Sequence, residues 1–275
     1  MTAGRLAPGV ELVTVPGQGL AVRTQDGEFL RVGTGRVAVD ELVARFEGGP
    51  QGSPELEELV TAFEDAGYAG ERTARPLAGL AVHVLGDELP AGALANRAAA
   101  AGADITRGDG HRLTVPGEGA GRPDVVVWCL DSPVPEGLWD AADRLPAQGV
   151  GWLRCHREGF QVWLEPLAAE AGDVTSADIR LRRLAASPAH RELAAYWAGH
   201  RTAGTPPCGT EASAALIAEL LTADLIAWAT GRRTPGRPPA RRRLRRLDLR
   251  DLTVSEHPVL PVPAVAPVPG RGAPR

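Results

Sequence analysis

Residues 80–103 read LAVHVLGDELPAGALANRAAAAGA. The apolar run through Leu80, Val82, Val84 and Leu85 stops at Gly86, as a buried strand does. The alanine-rich stretch from 91 to 101 then has helical composition and is closed by Gly102. A strand followed by a helix opens a βαβ unit. Downstream comes a second apolar run, DVVVWCLD (124–131), then a helical pattern through Leu138, Trp139, Ala142 and Leu145. GVGWLRCH (149–156) and FQVWLEP (160–166) follow. Such alternation predicts an α/β fold, a mostly parallel sheet with helices on its faces. Residues 187–199 and 210–230 read as two more helices, the second opening on Thr210 and carrying Leu216, Ile217, Leu220, Leu221, Leu225 and Trp228. The Arg-rich connector RRTPGRPPARRR (232–243) and the strand-like LRRLDLRDLTV (244–254) come next, ahead of a Pro-rich end.

The pattern upstream of residue 80 is different. VELVTVP, GLAVRTQ and EFLRV, within 10–32, are short strands separated by Gly17-Gln18-Gly19 and Asp26-Gly27, an antiparallel meander. Val39, Leu42, Val43 and Phe46 have helical spacing, which ends at Gly48-Gly49-Pro50. A second helix starts after Ser53, with Pro54 at its first position, and carries Leu56, Leu59, Val60 and Phe63 to an end at Gly67. Three strands and two helices make a small winged-helix-like module. The expected division is therefore a module over 1–76, an α/β domain over 77–263 and a frayed Pro-rich tail over 264–275.

Composition narrows the function classes. The 275 residues are 44% hydrophobic and 23% charged, a globular balance, although 33 Gly and 24 Pro imply many turns. All 30 basic residues are Arg, and the net charge of −4 divides into −12 over residues 1–231 and +8 over 232–275. No stretch reaches the roughly 18 uninterrupted apolar residues of a membrane span, and the N-terminus lacks a signal-peptide core. A cytoplasmic protein that does not bind membranes is expected. Cys129, Cys155 and Cys208 form no C-x-x-C pair, so neither a disulfide framework nor a zinc site is implied.

The candidate motifs point away from catalysis. The turn after Val84 is Gly86-Asp87-Glu88-Leu89-Pro90-Ala91-Gly92, where a dinucleotide fold carries G-x-G-x-x-G. Glu88 replaces the glycine that admits phosphate, and two carboxylates oppose an anion at the helix start. Histidines 83, 111, 156, 190, 200 and 257 show no H-x-x-x-H spacing. Cys155 and His156 are neighbours on a strand and face opposite sides, so they form no dyad. Asp131, at a strand's C-terminal end, stands where α/β sheets place ligand contacts or turn caps. The Arg run of 232–250 has no interleaved aromatics, which argues against nucleic acid. It reads as a solvated connector, or as a docking strip, Arg241, Arg242 and Arg243, for an acidic peptide, a partner or the protein's own acidic body.

The order of parts resembles the ThiF-like leader-peptide-binding proteins, partner subunits of YcaO cyclodehydratases that make azole-containing ribosomal peptides, thiopeptides among them. The resemblance is carried by residues 80–103, GVGWLRCHREGFQVWLEPL, TEASAALIAELLTADLIAWATGR and LRRLDLRDLTVSEHPVLPVP, which span most of 78–263. It implies a degenerate adenylating-enzyme-like domain without cofactor. It also implies a scaffold that binds the leader of a precursor peptide and presents it to a YcaO-type enzyme for thiazoline or oxazoline formation, with a homodimer left open. An ATP-dependent carboxylate-adenylating enzyme is the alternative. The family's leader site is an added strand on the meander, which places it at Phe29, Leu30, Arg31 and Val32 beside Leu56, Leu59, Val60 and Phe63. Two departures stand out. The module has two helices where the family has three, and Val174-Thr175-Ser176 and residues 264–268 stand where the zinc-binding cysteine pairs belong.

Overall fold

The computed structural model describes residues 4–70, 75–108, 112–113, 121–202, 209–234 and 236–263. The chain divides into two compact units, Met1–Ala74 and Arg75–Arg275.

In the first unit, β1 (Glu11–Val15), β2 (Gly19–Arg23) and β3 (Phe29–Val32) form an antiparallel sheet in that order. Helices α1 (Val39–Phe46) and α2 (Pro54–Asp65) follow. The Ser53 hydroxyl accepts a hydrogen bond from the Leu56 amide, and Pro54 occupies the first turn, where its missing N–H costs nothing. Leu20 and Val22 of the central strand pack on Leu42, Phe46, Leu56, Val60 and Phe63. The rings of Phe46 and Phe63 lie 5.1 Å apart. Arg45 is buried beside this core, and its guanidinium forks onto Glu57 at 2.8 and 3.1 Å.

The second unit is built on a seven-stranded sheet of β4 (Ala81–Gly86), β5 (Asp104–Arg107), β6 (Val125–Leu130), β7 (Gly151–Glu158), β8 (Gln161–Leu164), β9 (Arg243–Asp248) and β10 (Thr253–Pro258), ordered β10-β9-β8-β7-β6-β4-β5. Strands β5, β4, β6 and β7 run parallel; β7 to β10 pair antiparallel. The expected mostly parallel sheet is thus corrected to a mixed one. Two residues, Gly159 and Phe160, join β7 to β8, and a parallel return needs a crossover of a dozen or more.

Helices α3 (Glu88–Ala100) and α6 (Glu211–Ala229) pack together on one face of the sheet. Ala91, Leu94, Ala95 and Ala98 meet Ile217, Ala218, Leu221 and Leu225 over Val82, Val84, Val125, Val127, Leu153 and Cys155. Small alanines allow the close approach. Among the described residues α6 is, by length and mean hydropathy alone, apolar enough to cross a membrane, although Glu219 and Asp224 interrupt its apolar run. Its seven buried residues, Asp224 among them, instead face the interior of this unit. Gly86 closes β4 with φ of 122°, and a Cβ there would lie 1.8 Å from the Cys129 carbonyl oxygen. Only glycine lets β4 turn against β6 at that point.

The opposite face is aromatic. Trp128 and Trp152 stack edge to face, with Trp139, Ala142 and Leu145 above them. The helix expected through 138–145 is reduced to two short 3-10 turns, Ala142–Arg144 and Pro146–Gln148, because Pro146 cannot continue an α-helix. Helix α4 (Ser176–Ala186) is not expected from the sequence; it stands ahead of α5 (His190–Trp197), which is the helix expected over 187–199. Thr175 and Asp178 start α4 as a reciprocal capping box.

Candidate functional site

The alternation of β7 builds one wall of a cavity. Trp152, Arg154, His156 and Glu158 point to one side of the sheet, while Leu153 and Cys155 point to the helix-covered side. From β8, Trp163 lies opposite His156 in register. Above them sit Ile179, Arg180, Arg183 and Leu184 of α4 and Trp197 of α5, with Val134 to Asp140 forming the rim. These helix and rim residues, with His156, Glu158 and Glu165, line a cavity of about 370 Å³.

Its floor is a closed charge network. Arg183 forks onto Glu158 at 3.1 and 2.5 Å, and the Trp197 indole donates to the same carboxylate at 2.7 Å. His156 Nε2 lies 3.3 Å from Glu158 Oε1. Arg183 Nη1 lies 3.4 Å from the same nitrogen. Nδ1 faces Glu165 at 3.7 Å, too far for a hydrogen bond. Glu165 is held by fully buried Arg154 at 2.7 Å, which also donates to the carbonyls of Pro166 and Val174. The Arg183 guanidinium lies 3.8 Å over Trp163 and 4.9 Å over Trp197. Burial alone raises the Glu158 carboxyl, but hydrogen bonds from His156 and Arg183 outweigh it and hold it well below the usual carboxylate range.

Deep in the cavity Glu158 is paired, His156 is 3% exposed, and the Ser176 hydroxyl donates to Asp143 at 2.6 Å, while Glu136 and Asp140 line it nearer the rim. The Trp139 ring meets His156 edge on at 5.6 Å, and its buried Nε1 has no acceptor among the described residues. Sequence reasoning singled out His156 but none of its companions. The signal was there: Trp152, Arg154, His156 and Glu158 alternate as W-x-R-x-H-x-E, a charged face on an otherwise apolar strand.

The turn before α3 is filled from within. Asp87 accepts the Asp131 amide at 2.6 Å, and its own amide donates to the Cys129 carbonyl at 2.8 Å. Glu88 forks onto Arg107 and Pro90 has no N–H to offer. Asp131, placed as expected at the end of β6, is held by Arg157 at 2.6 Å. Cys129 and Cys155 are buried neighbours on β6 and β7, and Cys129 together with burial pushes the Cys155 thiol up, which leaves it inert.

On the meander, β3 pairs with β2 and, among the described residues, with no strand on its other side. Phe29 and Leu30 are 62% and 40% exposed; Arg31 is also exposed and reaches Gln18, while Val32 is half-buried. Leu56, Val60 and Phe63 lie in the core and Leu59 is half-buried against it. These helix residues support the sheet, so no open groove of their side chains lies beside β3.

The expected docking strip proves to be internal. Arg241 binds Glu170 and Asp173, Arg242 binds Asp173, and Arg243 pairs with Asp224 of α6. The acidic body that Arg241, Arg242 and Arg243 dock is the chain's own. The zinc positions do not fit a metal. Val174 is buried among Ile179, Leu244 and Val259, and Thr175 and Ser176 start α4. Residues 264–268, His111 and Cys208 lie outside the described residues.

No family model matches the sequence, and no curated protein does. Solved structures do. The chain is similar to a heterocyclase solved in complex with substrate and cofactor, at 13% identity and a TM-score of 0.65 over 95% of this chain and 39% of the other. Heterocyclase TruD gives 14% and 0.64 over 95% and 42%. The E. coli microcin synthetase McbBCD complex gives 9% and 0.51 over 96% and 99% of the matched chain. The chain therefore spans about two fifths of the length of the heterocyclases and almost all of the microcin synthetase chain. At these identities the likeness establishes the fold: mixed α/β, shared with these heterocyclases and a chain of the microcin synthetase complex.

Proposed function

We propose that this chain is a non-catalytic scaffold in azoline formation on ribosomal peptides. In this reading its first unit is a winged-helix-like element that takes the leader of a precursor peptide as a fourth strand on β3. Its second unit is a degenerate ThiF-like domain that docks a YcaO-type cyclodehydratase, with both proteins in the cytoplasm and the product of thiopeptide type. Holding the leader raises the substrate's effective concentration at the partner's site, so a subunit without catalytic groups still accelerates the reaction.

The observation that carries the reading is the unpaired edge of β3, with Phe29 and Leu30 exposed on it. An edge strand offers a row of backbone donors and acceptors, and its exposed apolar side chains add contact for an incoming peptide. Support also comes from the substrate-bound heterocyclase, whose fold follows this chain over 95% of its residues. The self-filled turn at Asp87 agrees, since a carboxylate there opposes the phosphates that adenylation requires.

Fluorescence polarisation tests it. The labelled N-terminal part of any short precursor peptide found encoded next to the gene is titrated with the intact protein and with Phe29→Glu/Leu30→Glu. Weakening of about tenfold or more is expected, the loss of roughly 1.4 kcal/mol or more of edge contact. Unchanged affinity would show that β3 does not read the leader, and pyrophosphate exchange by the isolated chain would sink the scaffold reading.

A further inference from the structure

A second cavity in the Arg75–Arg275 unit has a different character. It measures about 410 Å³ and is lined by Arg232, Arg233, Arg237, Arg243 and Arg245, with small residues of α6 and Pro238, Pro239 and Ala240 between them. Two carboxylates reach three of the five guanidiniums. Asp224 takes Arg243 and Arg245, and Glu256 takes Arg245 at 2.9 Å, with Arg243 and Arg237 at 4.0 and 3.9 Å. Arg232 and Arg233 are exposed and have no acidic partner among the described residues. Arg243 is 7% exposed, and its Nε finds no acceptor. A buried guanidinium with an unused donor, behind three outer guanidiniums in an enclosed space, is a built anion receptor.

We infer that this cavity binds the carboxylate side chains of an acidic peptide segment. The inference rests on the peptide-scaffold reading and names a second contact for that peptide. Guanidinium forks match carboxylate geometry, and net positive charge in a partly enclosed cleft attracts anions. The lining discriminates between anions. No aromatic side chain among the described residues lines the cavity, so a nucleotide or single-stranded nucleic acid has no ring on which to stack its bases. The prolines and alanines leave room for short side chains. The docking role expected of Arg241 to Arg243 thus moves up the chain, to the Arg residues that the fold leaves uncompensated.

The test uses the full chain and a fluorescein-labelled tetraglutamate peptide, with tetraglutamine as control, at low ionic strength. Tetraglutamate should bind with an affinity that falls as salt is added, and tetraglutamine should not bind. Arg232→Gln/Arg233→Gln should weaken binding about tenfold with an unchanged unfolding midpoint, while Arg246→Gln, an exposed arginine outside the cavity, should leave it unchanged. Equal weakening by Arg246→Gln would reduce the effect to diffuse charge and overturn the proposal. Displacement by ATP or oligo-RNA at far lower concentration than by free tetraglutamate would reassign the site to phosphate and overturn it too. Phe29→Glu/Leu30→Glu should not alter tetraglutamate binding. Loss of leader binding with retained tetraglutamate binding therefore locates a failure in the β3 edge, and the converse locates it in this cavity.

Discussion

Two cavities of similar volume sit in the same α/β unit, both beside arginine–carboxylate pairs. In the first, Glu158 is surrounded by Arg183, His156 and Trp197, and Glu165 by Arg154; every carboxylate on the floor has its cation. In the second, five guanidiniums line the cavity and three of them, Arg237, Arg243 and Arg245, share Asp224 and Glu256. The same residue types therefore serve opposite ends. Where charges match one for one, they lock the strands to α4 and α5 and leave little field. Where they do not match, the excess is available to a ligand. Counting arginines cannot distinguish the two; counting their carboxylates can.

The sharpest way to break the comparison is to unbalance the balanced cavity. Arg183→Ala removes both forks onto Glu158 and the stacking on Trp163 and Trp197. It leaves a carboxylate that is 12% exposed without its guanidinium, at a cost of about 3–5 kcal/mol in a urea unfolding titration. Arg183→Met with Glu158→Gln should cost less than Arg183→Ala alone, because no lone charge remains buried. Equal losses would mean that the aromatic stacking, and not charge pairing, holds the floor.

Acid probes the same balance with a smaller effect. The Glu158 carboxyl is depressed in the folded chain, so it contributes stability above its unfolded value of about 4.3, and that contribution is lost as pH falls below it. Glu158→Gln should lower stability at pH 7 and flatten its decline between about pH 5 and 3. A parallel curve with the original slope would assign the acid sensitivity to other carboxylates, Asp173 first among them, since it too is held low against burial by Arg241 and by the Ala169 and Glu170 amides.

These balanced sites were the least legible part of the chain. Local signals served well where structure is local: Ser53-Pro54, Thr210 and Gly102 bound helices at the expected places, and the run from Leu80 to Leu85 is a strand. Helix α4 escaped notice because its sequence, SADIRLRRLAA, buries little beyond Ile179; the Thr175–Asp178 box was its one marker. The cavity floor escaped for a different reason. Trp197 reaches Glu158 across 39 residues, and Arg243 and Arg245 find Asp224 from 19 and 21 residues away. No periodicity records such pairings. For the same reason the Arg-rich stretch reads as solvated, although Arg243 and Arg245 are buried.

The smallest expected effect is the one that separates the two kinds of arginine within that single stretch. Arg241 is about one-third exposed, donates to Glu170 and Asp173, and shares Asp173 with Arg242 and two backbone amides. Arg241→Gln should therefore cost on the order of 1 kcal/mol, since Asp173, almost wholly buried, keeps its other donors. Arg232→Gln removes a guanidinium that touches no acid and should change stability by no more than about 0.5 kcal/mol. Parallel denaturation curves of the two variants measure the difference. If both are silent, the pairing of Arg241 contributes nothing measurable and only the buried Arg243 and Arg245 anchor the stretch. If Arg232→Gln is stabilising, the uncompensated guanidiniums repel one another in the resting protein, and a charge kept at a cost to stability is one that a ligand is expected to neutralise.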